Sequence, residues 1–399
     1  MSEKRDLRPE TLAVHAGKRK DPSGGPLVDP IFETAPFSFA DPAALARAAQ
    51  RDPPDAFYTR EGNPTVACVE KKLAALEGAE DAALFGSGMA AISTAFLAHL
   101  KAGDHIVATE DLYGGTPRLF RDVLEPIGVT ATLVETSPRP ALEQAIRKET
   151  RWLYVESPTN PLVKIVDLEF VANLARRRGL TAVIDGTFAS PILQRPLAMG
   201  FDLVLHSATK YLNGHADVTA GFAAGSARML EPIRERRVRT GAILDPLAAF
   251  LVNRGMKTLS LRVERQAQNA LSLSETLLAH PAVERVHYPG LPSHAGHEAA
   301  RRQMKAFGAM LAFDLKGGLE SAQTFLSRLK LVSLATSLGS VETTADMPWL
   351  TSHRFVAPEK KRALGIQDGT IRLSVGAESI EDLREDIEGA LSSDVKRKT

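Results

Sequence analysis

Lys210 closes the run Ser207-Ala208-Thr209-Lys210, directly after the apolar stretch Asp202-Leu203-Val204-Leu205-His206. Upstream, Leu180-Thr181-Ala182-Val183-Ile184 ends on Asp185. An amine and an acid therefore each follow a strand-like run. In an open α/β sheet, ligands bind beyond the carboxyl ends of the strands. An amine can bond an aldehyde, hydroxyls can donate to a phosphate, and a carboxylate can keep a pyridine nitrogen protonated so that the ring draws electrons from a substrate. These are the requirements of pyridoxal 5′-phosphate (PLP). Lys210 would be its covalent anchor, with Ser207 and Thr209 on the phosphate and Asp185 on the ring nitrogen. A helix cap is the blander role for Asp185, but Gly186-Thr187-Phe188 and Pro191 do not read as a helix start. Thr187 joins the cofactor set.

Five further segments carry polar groups at strand ends or in turns. Gly86-Ser87-Gly88-Met89 joins a strand to a helix, and glycines with a helix N-terminus suit an anion; alone it would be an ordinary turn. Tyr113, followed by Gly114-Gly115, could stack on a planar ring, the glycines leaving it room. Tyr58-Thr59-Arg60 offers a guanidinium for phosphate, although spacing alone favours a surface arginine. Asn160, in Ser157-Pro158-Thr159-Asn160-Pro161, lies in a turn where its amide could donate to the cofactor's phenolic oxygen. Arg372, in Thr370-Ile371-Arg372-Leu373-Ser374, shares one strand face with Thr370 and Ser374. A guanidinium there needs a partner. A substrate α-carboxylate and an internal salt bridge are equally good candidates.

The elements that must position these residues alternate. Apolar strands are expected near 81–85, 104–109, 129–134, 151–156, 180–184, 202–206 and 218–224, with helices near 89–101, 116–126, 139–148 and 167–178 between the earlier ones. That pattern predicts an α/β domain with a mostly parallel seven-stranded sheet between helices. Asn63-Pro64 and Gly78 bracket one helix as N-cap, first residue and terminator. Residues 1–60, punctuated by prolines, read as an extended arm seeking a docking surface on a neighbouring subunit. Residues 61–255 form the large domain. Residues 256–399 form a smaller α+β domain, after a long helical region at 245–279, with strands near 308–314 and 369–375 and a last helix near 379–391.

Composition sets outer limits. The 399 residues are 44% apolar and 24% charged, with 49 basic and 48 acidic side chains. This balance gives no reason to expect a nucleic-acid or membrane partner. The arginine clusters at 176–178 and 234–239 read as solvated helix faces. The lone Cys68 excludes an internal disulfide, and its apolar setting favours packing. No histidine spacing suggests a metal, and the charged N-terminus carries no signal core, so a cytoplasmic enzyme is expected.

Taken together these runs resemble the Cys/Met-metabolism family of PLP enzymes, the fold type I group of cystathionine γ-synthase, γ-lyase and O-acylhomoserine sulfhydrylase. The matching pieces are Tyr58-Thr59-Arg60, Ser87-Gly88-Met89, Tyr113-Gly114-Gly115-Thr116, Asn160-Pro161, Asp185, Ser207-Ala208-Thr209-Lys210-Tyr211, Ser337-Leu338-Gly339 and Arg372-Leu373-Ser374-Val375-Gly376. The resemblance implies that Lys210 anchors PLP and shuttles protons, while Tyr113 stacks on the ring and helps protonate the leaving group. Ser87, Gly88, Met89, Ser207 and Thr209 would hold phosphate, and Tyr58 and Arg60 would do so across a subunit interface in a homotetramer of active dimers. Arg372, with Ser337 and its neighbour Thr336, would meet the amino-acid substrate.

Departures bear on that substrate. Methionine γ-lyases generally carry Cys at Gly115 and a Lys-Asp pair near Arg237-Val238, and cystathionine enzymes commonly carry Glu at Thr336. Asn usually follows the cofactor aspartate, where Gly186 stands. The expected chemistry is γ-replacement or γ-elimination on a homoserine-derived or sulfur amino acid. An O-acylhomoserine sulfhydrylase, a methionine γ-lyase and a β-lyase are rivals within the family. An aminotransferase and a non-catalytic PLP-binding regulator are rivals outside that chemistry.

Overall fold

The computed structural model describes residues 7–18, 24–50, 56–135 and 140–392. The parts of the expected arm at 1–6, 19–23 and 51–55 lie outside them. Twelve strands follow in chain order: β1 (Asp81–Phe85), β2 (His105–Thr109), β3 (Thr130–Val134), β4 (Thr150–Glu156), β5 (Thr181–Asp185), β6 (Leu203–His206), β7 (Gly221–Gly225), β8 (Val283–His287), β9 (Met310–Leu315), β10 (Ser333–Leu334), β11 (Thr344–Asp346) and β12 (Thr370–Ser374). The first seven form the larger sheet. All seven fall at the expected places; six are buried on both faces and so read as continuous apolar runs, while β3 is a largely exposed edge strand. The chain divides into two compact units, 1–101 with 195–260, and 102–194 with 261–399. The domain boundaries near 60 and 255 stand as our proposal from sequence pattern.

The first unit holds β1, β7 and β6. β7 runs antiparallel to both neighbours, from Asp81↔Gly225 to Phe85↔Gly221 on one side and from Leu203↔Gly225 to His206↔Phe222 on the other. The helix Pro64–Glu77 starts and stops as expected: Asn63 Oδ1 accepts from the Thr65 N–H, and Gly78 is left-handed at φ 72°. This helix also anchors the described parts of the arm. Lys72 Nζ donates to the Ala13 carbonyl at 2.8 Å, Asn63 Nδ2 to the Phe32 carbonyl at 2.9 Å, and the Phe32 N–H to Thr65 Oγ1 at 2.9 Å. The arm thus docks on its own chain at these points.

Two arginines of the 234–239 cluster are not solvated. In the helix Ala227–Thr240, Arg234 pairs with Glu70 at 2.9 Å and Asp81 at 2.7 Å, and Arg237 pairs with Glu70 at 2.6 Å and the Leu84 carbonyl at 2.7 Å. Glu70 also accepts from the Leu84 N–H. Their partners lie on the helix at 64–77 and on β1, far away in sequence, so a local reading saw only charge. The 176–178 cluster is exposed as expected.

The second unit contains β5-β4-β2-β3, all parallel. Its helix expected at 116–126 is shorter. Gly115–Leu119 is α-helical, then the chain widens into a π turn at Phe120–Leu124 and tightens into a 3-10 turn at Glu125–Ile127. Pro126 has no N–H to continue the ladder. The region expected as one helix at 245–279 is two, Pro246–Met256 and Leu259–Ala279.

This unit also contains a five-stranded sheet in the order β10-β11-β12-β9-β8. Leu273, Leu277, Phe313, Phe325, Ile371, Leu373 and Ile387 pack in its core. On β12 the apolar face, Ile371 and Leu373, enters this core. The opposite face is polar and paired throughout: Thr370 Oγ1 donates to Asp314, Arg372 is held as described below, and Ser374 Oγ accepts from the Gly339 N–H.

Candidate active site

In the first unit, backbone builds the site. Ser87 caps the helix Gly88–His99, its Oγ accepting from the Ala90 N–H at 3.0 Å. The Ala91 N–H bonds the Ser87 carbonyl. Of the first turn, the N–H groups of Gly88 and Met89 are left without an intrahelical partner, as a helix start requires. Two close approaches shape the place. A Cβ on Gly88 would lie 2.8 Å from the Ser207 Cβ, and a Cβ on Gly221 would lie 2.1 Å from the Ser87 carbonyl oxygen. Only glycine permits β7 and the 87–88 turn to meet.

Ser207 to Lys210 follows β6 as a turn, with the Lys210 N–H on the Ser207 carbonyl at 3.2 Å. Thr209 Oγ1 accepts from the Ala220 N–H at 2.9 Å and donates to the Ala220 carbonyl at 3.1 Å, so its hydroxyl also ties this turn to the start of β7. Ser87, Gly88, Met89 and Ser207 are therefore brought together, with Thr209 and Lys210 in the adjoining turn. Arg60 lies 5.5 Å from the Tyr58 ring centroid and 3.9 Å from Glu61, about half exposed, and among the described residues no hydrogen bond or ion pair joins it to the cradle.

In the second unit, side chains build the site. Asp185, at the end of β5, accepts from the Thr187 N–H at 2.9 Å, so it stabilises its own turn as well as closing the strand. Glu156 is its register partner at the end of β4. Glu156 Oε2 accepts from the Tyr113 N–H at 2.7 Å and fixes the loop that carries the exposed tyrosine. Burial, then the charge of Asp185, pushes the Glu156 carboxyl well above the ordinary carboxylate range. Sequence reasoning missed Glu156, although it ends an apolar strand just as Asp185 does.

Gly114 also answers to a neighbouring loop. A Cβ there would lie 2.9 Å from the Ser352 carbonyl oxygen, so the glycine accommodates a neighbouring loop of the chain. Lys164 Nζ bonds Asp111 at 2.8 and 3.0 Å and pins the start of the Tyr113 loop.

Arg372 gathers three partners. Its Nη1 donates to Asn160 Oδ1 at 2.9 Å, and its Nη2 donates to the Ser337 carbonyl at 3.0 Å and to Asp346 Oδ2 at 2.7 Å. Ser337 takes a left-handed φ of 78°, a conformation that costs a non-glycine residue energy and is commonest where function demands it. Thr336, beside it, is exposed. Of the two partners expected at Arg372, the internal salt bridge is present, supplied by Asp346, and among the described residues the buried guanidinium Nε has no partner. Asp346 left no signal in the sequence. Among the described residues no cluster of three or more His, Cys, Asp or Glu is arranged to hold a metal.

The cradle fits the phosphate of PLP. Gly88 and Gly221 keep side chains out of it, the first-turn N–H groups face an anion favourably, and the lysine follows in the next turn. An α/β scaffold with such a cradle is that of a PLP-dependent enzyme. Comparison with known proteins narrows the class. The chain belongs to the Cys/Met metabolism PLP-dependent enzyme family, whose model matches residues 10–392. It is 46% identical over 384 residues to an L-methionine gamma-lyase of Fusobacterium nucleatum subsp. polymorphum, covering 96% of this chain and 97% of that one. It is 42% identical over 388 residues to a cystathionine gamma-lyase of Bacillus subtilis, covering 97% and 100%. A crystal structure of cystathionine gamma-lyase from Lactobacillus plantarum complexed with L-serine matches with a TM-score of 0.91 at 40% identity, over 97% of this chain and 99% of that one. PLP is the cofactor, and the chain is an enzyme of the trans-sulfuration class.

Proposed function

We propose that this enzyme acts at Cγ of a homoserine-derived or sulfur amino acid, by γ-replacement or γ-elimination of the cystathionine γ-synthase and γ-lyase kind. The observation that carries this reading is Arg372. It is a buried guanidinium held by Asn160, Ser337 and Asp346 whose Nε has no partner, which suits an α-carboxylate.

Ser87, Gly88, Met89, Ser207 and Thr209 would hold the phosphate of PLP, Asp185 the pyridine nitrogen, and Thr187 would support the ring through its turn with Asp185. When bound, PLP supplies a sink for the electrons released at Cα. Lys210 would anchor the cofactor, give way to the substrate amine, and move protons at Cα and Cβ. Tyr113, on its fixed loop, would stack on the ring and protonate the departing γ-substituent. Asn160 commits Oδ1 to Arg372, which turns its amide N–H groups toward another acceptor and supports donation to the phenolic oxygen. Tyr58 and Arg60 would complete the phosphate site of a neighbouring subunit within a homotetramer, a role open to Arg60 because it is about half exposed.

The second reading is a methionine γ-lyase, favoured by the identity to proteins of that name. Gly115 and the Arg237-Val238 pair weigh against it. Purified holoenzyme should be incubated with O-acetyl-, O-succinyl- and O-phosphohomoserine, cystathionine and methionine, each with and without cysteine or sulfide. Products are then identified by mass. We expect turnover of an O-acylhomoserine or cystathionine to exceed that of methionine; methionine as the best substrate would overturn the first reading in favour of the second.

A further inference from the structure

Arg372 is neutralised before any substrate arrives. Asp346, on β11, is its register partner on the neighbouring strand, and the two side chains meet at 2.7 Å with 2% and 5% of their side-chain surface exposed. Asp346 Oδ2 also accepts from Thr351 Oγ1 at 3.3 Å. A guanidinium this deeply buried is tolerable because a carboxylate pairs with it, and the converse holds for the acid.

The pair is incompletely satisfied on both sides. Arg372 Nε and Asp346 Oδ1 are buried and lack hydrogen-bond partners among the described residues. Nη1 and Nη2 are committed to Asn160, Ser337 and Asp346. An incoming carboxylate therefore finds donors on the guanidinium. It finds no net positive charge, because the negative charge of Asp346 is already there.

We propose that Asp346 is a positioning residue that sets specificity: it aims the Arg372 guanidinium and at the same time weakens its hold on a carboxylate, so that ground-state substrate binding stays loose. This rests on reading Arg372 as the α-carboxylate site. Its consequence is specific: recognition of the carboxylate depends on hydrogen-bond geometry, and the usual advantage of a charged ligand over its neutral amide is blunted.

The test uses the holoenzyme and two probes, L-norleucine and L-norleucinamide, which carry no group that can leave from Cγ. Their dissociation constants are measured by calorimetry in the wild type, Asp346→Asn, Asp346→Ser and Arg372→Ala. Asn keeps an acceptor for Nη2 but removes the charge; Ser is a smaller neutral replacement that serves if Asn disturbs folding. Norleucine should bind about tenfold more tightly to the neutral variants, because a like charge beside the ligand is gone, while norleucinamide should change by less than about twofold. Norleucine binding that is unchanged or weaker, or equal tightening of both probes, would overturn the proposal. A norleucine-to-norleucinamide preference unmoved by Arg372→Ala would instead sink the reading of Arg372 itself.

Discussion

The cradle of the first unit and the Arg372 cluster of the second solve anion binding in opposite ways. The cradle is made of backbone: a helix start, a turn after β6, and Gly221 on β7 pressed against the Ser87 carbonyl. The Arg372 cluster is made of side chains drawn from residues 160, 346 and 372, with one carbonyl from Ser337. A backbone site tolerates few substitutions, because a methyl group closes it. A side-chain site can be retuned one residue at a time, and that is where substrate range would diverge among relatives sharing one cofactor.

The largest effect should come at the cofactor end. Lys210→Ala is expected to lower kcat by roughly a thousandfold, as loss of a positioned acid–base group does. Borohydride reduction followed by peptide mapping should leave no pyridoxyl group at residue 210. A stable adduct at another lysine of the wild type would refute the anchor.

Gly221→Ala probes whether the cradle is as rigid as its contacts imply. The added methyl has no room at 2.1 Å from a carbonyl oxygen, so the variant should lose about 1–3 kcal/mol of stability and bind PLP more weakly. Calorimetric unfolding and a PLP titration measure both, and an unaltered PLP affinity would separate Gly221 from the cradle.

The retunable end is tested by Thr336→Glu. A carboxylate beside Ser337 should favour cystathionine over O-acetylhomoserine in kcat/KM by about tenfold through its distal ammonium. An unchanged ratio would show that Thr336 does not face that end of the substrate.

Glu156→Gln should have the smallest effect. Because burial raises the carboxyl's pKa in the folded state, the native protein binds this proton more tightly than the unfolded chain does. Wild-type stability from this group is then fully present below the unfolded value near 4.5 and is lost as pH rises toward the folded one. Gln escapes that loss while still accepting from the Tyr113 N–H. Its Tm should exceed the wild type's by a few degrees at pH 8 and match it near pH 4. A lower Tm at pH 8 would mean that the charged carboxylate is needed.

How much of this was legible followed from the same contrast. Strands β1 to β7 announced themselves as apolar runs, and the cradle as Gly-Ser-Gly and Ser-x-Thr-Lys, because local backbone demands leave local marks. β10, two exposed residues, and β11, ending on the polar Asp346, are too short and too mixed to show a period. Asp346 acquires meaning only from register with Arg372, and Arg234 and Arg237 only from Glu70 and Asp81 in a distant stretch. Pairings set by the tertiary fold carry no signature in the residues on either side. Gly114 shows the converse: the residue type was legible, but the Ser352 carbonyl that crowds it was not.

The register of β1 against β7 also bears on how the chain is made. Among the described residues β1 is an edge strand whose one sheet neighbour is β7, encoded well downstream. At about 5–20 residues per second, the ribosome leaves Ala82 to Phe85 unpaired for roughly seven to thirty seconds before residues 221–225 emerge. An apolar strand waiting that long is a target for chaperones and for mispairing with another nascent copy. The cradle needs the same late strand, so PLP cannot template the early half of the chain. Vitamin supply would then govern maturation after translation rather than rescue folding during it.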